Sequence, residues 1–200
     1  MEDSTSEIII ETASKKFRQY GLHSLSMDDL AKFCGVSKKT IYKYFQNKSD
    51  LIDTILDKKI EFLKTDFEEL HSVSKNAVSE MYCFLNMIND FANDLPTALH
   101  RDLKKYHLNL FVKYNHVQND VYKPFIVRNL ERGKQEALYN NDFNIENITK
   151  SILDVIDMIF IEGLRNDRAS IKTVEFFENM LIHKIATIKG LKKLNALIEE

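Results

Sequence analysis

The stretch 24–45, SLSMDDLAKFCGVSKKTIYKYF, carries the signals of two short helices joined by a glycine turn. Ser26 can cap the first helix, and Asp29 three residues later gives the spacing of a capping box. Gly35 ends that helix, because glycine adopts a positive φ without steric cost. Ser37 can cap the second helix by accepting from the backbone N–H groups that follow it. Two capped helices around such a turn predict a helix-turn-helix motif.

The second helix of this motif carries cations at the end where they are least favoured. Lys38 and Lys39 lie in its first turn, where the helix dipole disfavours each positive charge by roughly 0.3–1 kcal/mol. An anion bound at this end would remove the conflict, and a DNA phosphate is suited to the free backbone N–H groups there. The alternative is a solvated basic face beside core aromatics. The polar side chains that extend the surface are Thr40, Tyr42, Lys43 and Tyr44.

Residues 8–63 resemble the DNA-binding module of the TetR family of bacterial transcriptional repressors. The matching positions are Ile9, Ala13, Phe17, Gly21, Ser26, Asp29, Leu30, Ala31, Gly35, Val36, Ser37, Thr40, Ile41, Tyr42, Tyr44, Phe45, Lys48 and Leu51. The resemblance implies that the helix over 38–44 enters the major groove and that Lys48 holds a phosphate. The DNA-binding residues expected from the motif and the resemblance are Ser26, Ser37, Lys38, Lys39, Thr40, Tyr42, Lys43, Tyr44 and Lys48. Lys39 departs from the Gly or Pro that is common there in the family, which leaves the operator sequence open.

Composition points to an all-α chain. Its 200 residues are 44% hydrophobic and include five Gly and two Pro, and apolar residues recur at helical spacing. We predict an N-terminal three-helix DNA-binding domain over residues 1–48, with the motif at 26–45. A helical ligand-binding and dimerisation domain follows over 49–200, giving about nine helices in total.

Charge is unevenly distributed along the chain. Residues 15–48 hold eight Lys and Arg against Asp28 and Asp29, a local charge of +6, so the net charge of −2 leaves −8 for the remainder. A basic surface confined to one end fits a domain with a single face toward DNA.

The sequence indicates a cytoplasmic protein with reduced cysteines. Cys34 and Cys83 lie far apart within helical patterns, which favours packing roles over a disulfide or a metal pair. The acidic start MEDSTSE does not resemble a signal peptide, and no run approaches eighteen consecutive apolar residues.

Helical periodicity continues beyond the motif. Asn47 can cap a long fourth helix, and residues 75–94 form a broadly apolar helix. A further long helix is expected from about Leu108 to Leu138, interrupted at Pro124, and the tail GLKKLNALIEE could form a last short helix. The apolar stripe of the fourth helix comprises Ile52, Leu56, Ile60, Leu63, Phe67 and Leu70.

Two apolar helices near the C-terminus, over 147–164 and 171–188, suggest dimerisation. We do not expect one monomer core to cover both, and the resemblance implies that they pair with their copies across a two-fold axis. The alternative is a helical hairpin buried within one chain. The predicted interface residues are Ile152, Ile156, Ile159, Phe160, Phe177, Leu181 and Ile185.

The second domain is expected to bind a small apolar or aromatic effector, because aromatic residues with a few polar tips occur between its helices. The alternative is that these aromatics are ordinary core. No His spacing typical of a helical zinc site occurs, so we predict no metal and no cofactor. The predicted lining comprises Tyr82, Met87, Phe91, His107, Phe111, Tyr114 and Phe125.

These patterns favour a ligand-relieved repressor that binds a palindromic double-stranded DNA operator as a homodimer. An enzyme is disfavoured, because the sequence has no G-x-S-x-G, no H-E-x-x-H, no Gly-rich phosphate loop and no C-x-x-C motif. The alternative function is a regulator of the same fold that activates transcription, or that acts through a protein partner without small-molecule induction.

Overall fold

The computed structural model describes residues 2–93, 99–162 and 183–199, which are helical and contain no β-strand apart from one isolated bridge between Tyr139 and Ala186. This confirms the predicted all-α fold with an N-terminal helix-turn-helix. A π-helical turn covers Gln118–Tyr122. The helices are α1 (Glu2–Tyr20), α2 (Met27–Phe33), α3 (Lys38–Tyr44), α4 (Lys48–Val73), α5 (Ala77–Asn93), α6 (Leu99–Tyr106), α7 (Leu108–Val117), α8 (Lys123–Gln135), α9 (Ile145–Glu162) and α10 (Ile188–Ile198).

The chain forms two compact units. The first unit comprises Met1–Phe62 and Asp94–Asn115, and the second comprises Leu63–Asn93 and His116–Glu200. Helix α4 runs without interruption from the first into the second. The division into functional domains at residues 48 and 49 stays a prediction. None of the described helices is long and apolar enough to cross a membrane.

The core of the first unit is built from the positions that the helical spacing identified. In α1, Ile9, Ala13 and Phe17 recur every four residues and are buried. Such spacing places them on one face of the helix, so α1 covers the motif with a continuous apolar stripe. The other fully or nearly fully buried side chains of this unit include Leu22, Leu30, Ile41, Leu51, Ile52 and Leu103.

Helix α6 and the part of α7 up to Asn115 belong to the first unit and contact α4 through polar groups. Lys113 Nζ of α7 lies 2.6 Å from Asp53 Oδ1 and 2.6 Å from Asp57 Oδ1, two carboxylates one turn apart on α4. Ser49 Oγ lies 2.8 Å from His107 Nδ1, at the junction of α6 and α7. These contacts fix both helices against the N-terminal half of α4.

The structure places the helix predicted from about Leu108 to Leu138, with an interruption at Pro124, over Leu108–Gln135 with an irregular turn just before the proline. Helix α7 ends at Val117, the wider π-helical turn follows, and α8 carries Pro124 in its first turn. Proline lacks a backbone N–H and crowds the carbonyl group four residues earlier, which here belongs to Asp120 within the π-helical turn. The backbone stays helical through the turn, since Lys123 N donates to Gln118 O.

The C-terminal segment also differs from the prediction. Thr187 Oγ1 accepts from Gly190 N at 3.1 Å and caps α10, so Ile188 begins a new helix and does not end the one predicted over 171–188. Ile188 is 78% exposed, which agrees with its position at a helix start. The short helix predicted for the tail is confirmed.

An aromatic cluster fills the interior of the second unit. Phe84 stacks on Phe125 with ring centroids 4.5 Å apart, and Phe67 packs against both at 4.9 and 5.3 Å. Tyr122 meets Phe67 and Phe84 edge-on at 6.1 and 6.3 Å. All four rings are buried. Offset and edge-on geometries of this kind add to the free energy gained from burying apolar area.

Glu80, a carboxylate with no solvent exposure, organises the polar contacts of the same unit. It accepts hydrogen bonds from Asn129 Nδ2 and Arg132 Nη1, each at 3.0 Å, and lies 2.6 Å from His71 Nδ1. A buried charge is tolerated only when it is paired and hydrogen-bonded. Because these partners come from α4 and α8, Glu80 connects α5 to both helices.

The predicted dimer interface stays a prediction. Ile152, Ile156 and Ile185 are buried within the single chain, where they support its own core. Phe177 and Leu181 lie outside the described residues. The helical backbone of α9 includes positions 159 and 160, whose side chains are not described.

Candidate nucleic-acid interface

A complete capping box starts α2. Asp29 N donates to Ser26 Oγ at 3.1 Å, and Ser26 N donates back to Asp29 Oδ2 at 3.1 Å. The hydrogen bonds from Ser26 lower the pKa of the Asp29 carboxyl below its ordinary value. Ser26 is thus occupied in defining the helix start, and the DNA contact expected from it stays a prediction.

The turn between α2 and α3 has the geometry that its glycine requires. Gly35 has φ +66°, in the left-handed region. Its N–H donates to Lys32 O at 3.1 Å, and Val36 N donates to Ala31 O at 3.0 Å. These bonds satisfy carbonyl groups at the end of α2. The turn therefore fixes the direction in which α3 leaves.

Ser37 starts α3. Its Oγ accepts from Thr40 N at 3.0 Å and lies 2.8 Å from Thr40 Oγ1. The two hydroxyls therefore share a hydrogen bond beside the free N–H groups of the helix end. This arrangement places two polar groups where a phosphate oxygen can be bound.

One face of α3 is anchored and the other faces solvent. Ile41 has no exposed surface, and Phe45 just beyond the helix is 4% exposed. Lys39 and Lys43 are exposed, and Tyr42 is 43% exposed. Buried anchors four residues apart hold the helix in one rotation about its axis. The outer face therefore presents cations and a phenol in a fixed order.

Asp28 is a residue of this surface that the sequence analysis did not identify as a partner. Lys38 Nζ donates to Asp28 Oδ2 at 2.8 Å, and this hydrogen bond raises the pKa of Lys38. Both side chains are exposed, so the pair contributes little to stability. The importance of the pair is electrostatic. In the absence of DNA, Lys38, one of the two cations in the first turn of α3, already has the Asp28 carboxylate beside it.

Aromatic rings support two of the exposed lysines. Lys38 Nζ lies 6.0 Å from the ring centroid of Tyr42, and Lys43 Nζ lies 5.4 Å from that of Tyr44. Cation–π contacts at such distances are worth about 0.5–1 kcal/mol at exposed sites. They hold the ammonium groups along the helix surface.

Lys48, the first residue of α4, is half-buried. Its Nζ lies 5.9 Å from the ring centroid of the buried Phe17. Burial lowers the pKa of Lys48, while the negative charge of Asp102 acts in the opposite direction. Asn47 caps this helix end by accepting from Asp50 N at 3.0 Å. Lys48, from which a phosphate contact is expected, thus lies at the capped start of α4.

The residues predicted to line a ligand pocket are distributed over the two units. His107 and Phe111 lie in the first, whereas Tyr82, Met87 and Phe91 lie half-buried on α5 in the second. Phe125 belongs to the buried aromatic cluster, and the side chain of Tyr114 is not described. Among the described residues, no group of His, Cys, Asp and Glu is arranged to hold a metal ion.

The burial of His107 predicts a pH dependence of stability. Burial lowers the pKa of His107, and the charge of Lys48 acts in the same direction, against the opposite effect of Asp102. As the pH falls below about 6.5, His107 is therefore protonated in the unfolded chain before it is protonated in the folded chain. The free energy of unfolding decreases as a result, until the pH reaches the folded-state pKa of His107.

We expect the urea midpoint to fall between about pH 7.5 and 5.5, and to fall less in His107→Gln. His116→Gln, which removes an exposed histidine, is the control and should follow the wild-type curve. Equal pH dependence in His107→Gln and wild type would contradict the assignment.

Comparison with known proteins agrees with the geometry of this surface. Residues 9–55 match the model of the bacterial regulatory proteins of the tetR family. YhgD of Bacillus subtilis, an uncharacterised HTH-type transcriptional regulator, is 38% identical over 63 residues, which are 32% of this chain and 33% of that protein. The chain thus spans about a third of the length of this curated relative.

Solved structures share the fold over most of the chain. A TetR-family regulator from Cytophaga hutchinsonii has a TM-score of 0.73 at 22% identity, covering 93% of this chain and 96% of its own. The regulator FadR from Bacillus subtilis, in complex with stearoyl-CoA, has a TM-score of 0.66 at 18% identity, covering 88% and 97%. The helix-turn-helix over residues 9–55 therefore matches the tetR-family model, and the chain shares its fold with a solved TetR-family regulator over most of its length.

Proposed function

We propose that the protein is a DNA-binding transcriptional repressor that binds a palindromic operator as a homodimer and is released by a small apolar or aromatic effector. The observation that carries this proposal is the outer face of α3. Lys39, Tyr42 and Lys43 are exposed there, while Ile41 anchors the opposite face. A helix held in this way can present the same side chains to base edges in each half-site.

The short length of α3 supports the proposed homodimer. One seven-residue recognition helix contacts only a few base pairs, and two copies related by a two-fold axis read two half-sites about 34 Å apart. Repression requires no further partner, because a dimer bound at a promoter blocks access to it. If binding to an operator upstream of a promoter increased transcription from that promoter, the protein would instead be an activator.

Selection from randomised duplex DNA tests the proposal directly. At about 150 mM salt, where non-specific phosphate attraction is weakened, we expect enrichment of a palindrome with half-sites about one helical turn apart. Sequencing the retained DNA gives the operator, and light scattering gives the oligomeric state. No enrichment from a folded protein would contradict DNA reading, and a monomer at micromolar concentration would contradict the homodimer.

Lys48 should act as a phosphate contact, so its loss should weaken binding to all sequences about equally. We expect Lys48→Ala to lower the magnitude of the slope of log affinity against log salt by about one per subunit. Lys58→Ala is a matched control, because Lys58 is exposed on the same helix about 15 Å farther along. An unchanged slope in Lys48→Ala, or an equal change in Lys58→Ala, would contradict the contact.

The effector proposal concerns α5 of the second unit. Tyr82, Met87 and Phe91 are half-buried there, whereas the neighbouring Phe84 is fully buried in the aromatic cluster. Partial exposure leaves apolar surface on α5 that a ligand could cover. The FadR structure was obtained with stearoyl-CoA, so a protein with this fold accommodates a long apolar chain.

Stearoyl-CoA is therefore a defined first probe. A ligand present at 100 times its dissociation constant stabilises the folded state by about 2.7 kcal/mol, so we expect a higher melting temperature together with weaker operator binding. Met87→Ala should reduce both effects. Absence of any shift in melting temperature would contradict an acyl chain as the effector, and a shift without a change in operator affinity would contradict ligand-relieved repression.

A further inference from the structure

The basic stretch 15–48 contains two carboxylates, Asp28 and Asp29, in the first turn of α2. Asp29 belongs to the capping box, where its Oδ2 accepts from Ser26 N at 3.1 Å and from Ser26 Oγ at 2.6 Å. Asp28 has a partner on another helix, because its Oδ2 accepts from Lys38 Nζ of α3 at 2.8 Å. The capping box of α2 is thus formed by Asp29, and the contact from α2 to α3 by Asp28.

The Lys38 side chain lies against the motif although most of it is accessible to water. It starts in the first turn of α3, ten positions after Asp28, and is 64% exposed. A lysine side chain on a surface can extend into solvent in many directions. Here the ammonium nitrogen lies 2.8 Å from the Asp28 carboxylate and 6.0 Å from the ring centroid of Tyr42. Two contacts from different helices therefore determine where this charge is held.

The contact with Asp28 offsets the charge that Lys38 presents to a phosphate. A hydrogen bond between an ammonium group and a carboxylate at 2.8 Å is charge-assisted, which is the stronger class of hydrogen bond. The Asp28 side chain is 49% exposed, so a phosphate near Lys38 also meets the carboxylate. Attraction to the ammonium group is then opposed by repulsion from the carboxylate. The same hydrogen bond raises the pKa of Lys38, which agrees with the geometry.

Packing of α2 and α3 keeps the two charged groups within reach of each other. Leu30 and Ala31 of α2 and Ile41 of α3 are buried in the core of the first unit. Gly35 and the bond from Val36 N to Ala31 O fix the turn between the helices. The backbones that carry Asp28 and Lys38 are therefore held by the fold, and only the side chains have to order when the ion pair forms.

We propose that Asp28 withholds Lys38 from the DNA backbone and thereby limits the sequence-independent part of the affinity for DNA. This inference rests on the proposed function and deepens it. Asp28 is a positioning residue that acts through Lys38, so loss of its carboxylate should strengthen binding to duplexes of every sequence. Such a limit favours operator binding in the cell, because the many non-specific sites of a genome compete for the protein.

The first test needs no DNA. In protein labelled with ¹³C at lysine Cε, the Lys38 resonance is identified by its absence from Lys38→Arg, and its pKa is measured by NMR titration. Asp28→Asn should lower the pKa of Lys38, whereas the control Glu11→Gln, which removes an exposed carboxylate of the same unit, should leave it unchanged. An unchanged pKa in folded Asp28→Asn would overturn the proposal, and Asp28→Ser provides a second neutral variant if the first does not fold.

The second test measures binding to a random-sequence duplex at several salt concentrations. Asp28→Asn should bind about two- to fivefold more tightly per subunit than wild type, the range expected for an exposed charge pair. The magnitude of the slope of log affinity against log salt should rise by about one per subunit, because Lys38 then neutralises a phosphate. A merely structural role of Asp28 would not increase this slope.

A double-mutant cycle shows whether the effect passes through Lys38. In a Lys38→Gln background, Asp28→Asn should change affinity and slope no more than the control Glu11→Gln does. Weaker binding by Asp28→Asn would mean that the carboxylate orients Lys38 toward DNA, and an equal gain without Lys38 would mean a general charge effect. Either result would overturn the proposal. If wild type bound no duplex, the proposed function would fail, and the lysine titration would still decide whether Asp28 holds Lys38.

Discussion

The hydrogen bonds that cap α2 and α3 are the constraint on which the rest of the DNA-facing surface depends. Each helix has seven residues, too few to form alone in water. In so short a helix the first four N–H groups are a majority of the donors, so Ser26 and Ser37 satisfy a large share of them. Gly35 lets the chain turn between the two caps. Burial of Ile41 can then fix the rotation of α3, and only after that do the exposed side chains have a defined order.

The electrostatics of the same surface follow a common pattern. Lys38 and Lys48 each stand in the first turn of a helix, where the dipole disfavours a cation. Each has a carboxylate from another helix within its field, Asp28 for Lys38 and Asp102 for Lys48. The basic surface is therefore partly neutralised from within. A nearby carboxylate lowers the free-energy cost of holding each cation in the free protein.

The distance along the chain between interacting groups explains what the sequence could and could not predict. The capping box, the glycine turn and the Asn47 cap join residues three to five positions apart, so their signals are local. The contact of Lys38 with Asp28 and the influence of Asp102 on Lys48 depend on how separate helices pack, which periodicity does not specify. Pro124 gave a local signal for an interruption of this helix, but not for its π-helical form.

The second unit shows why a buried face does not reveal what covers it. Helical spacing correctly identified the apolar face of α5, with Val78, Met81 and Ile88 buried. The same spacing arises whether aromatic rings cover a face or a ligand does. Phe125 is covered by other rings, and the nearby Glu80 network fixes α5 against α8. The proposed effector would therefore bind where that network and the aromatic cluster leave α5 half-covered, so the shape of the remaining surface, and not the composition of the helix, would determine which effector fits.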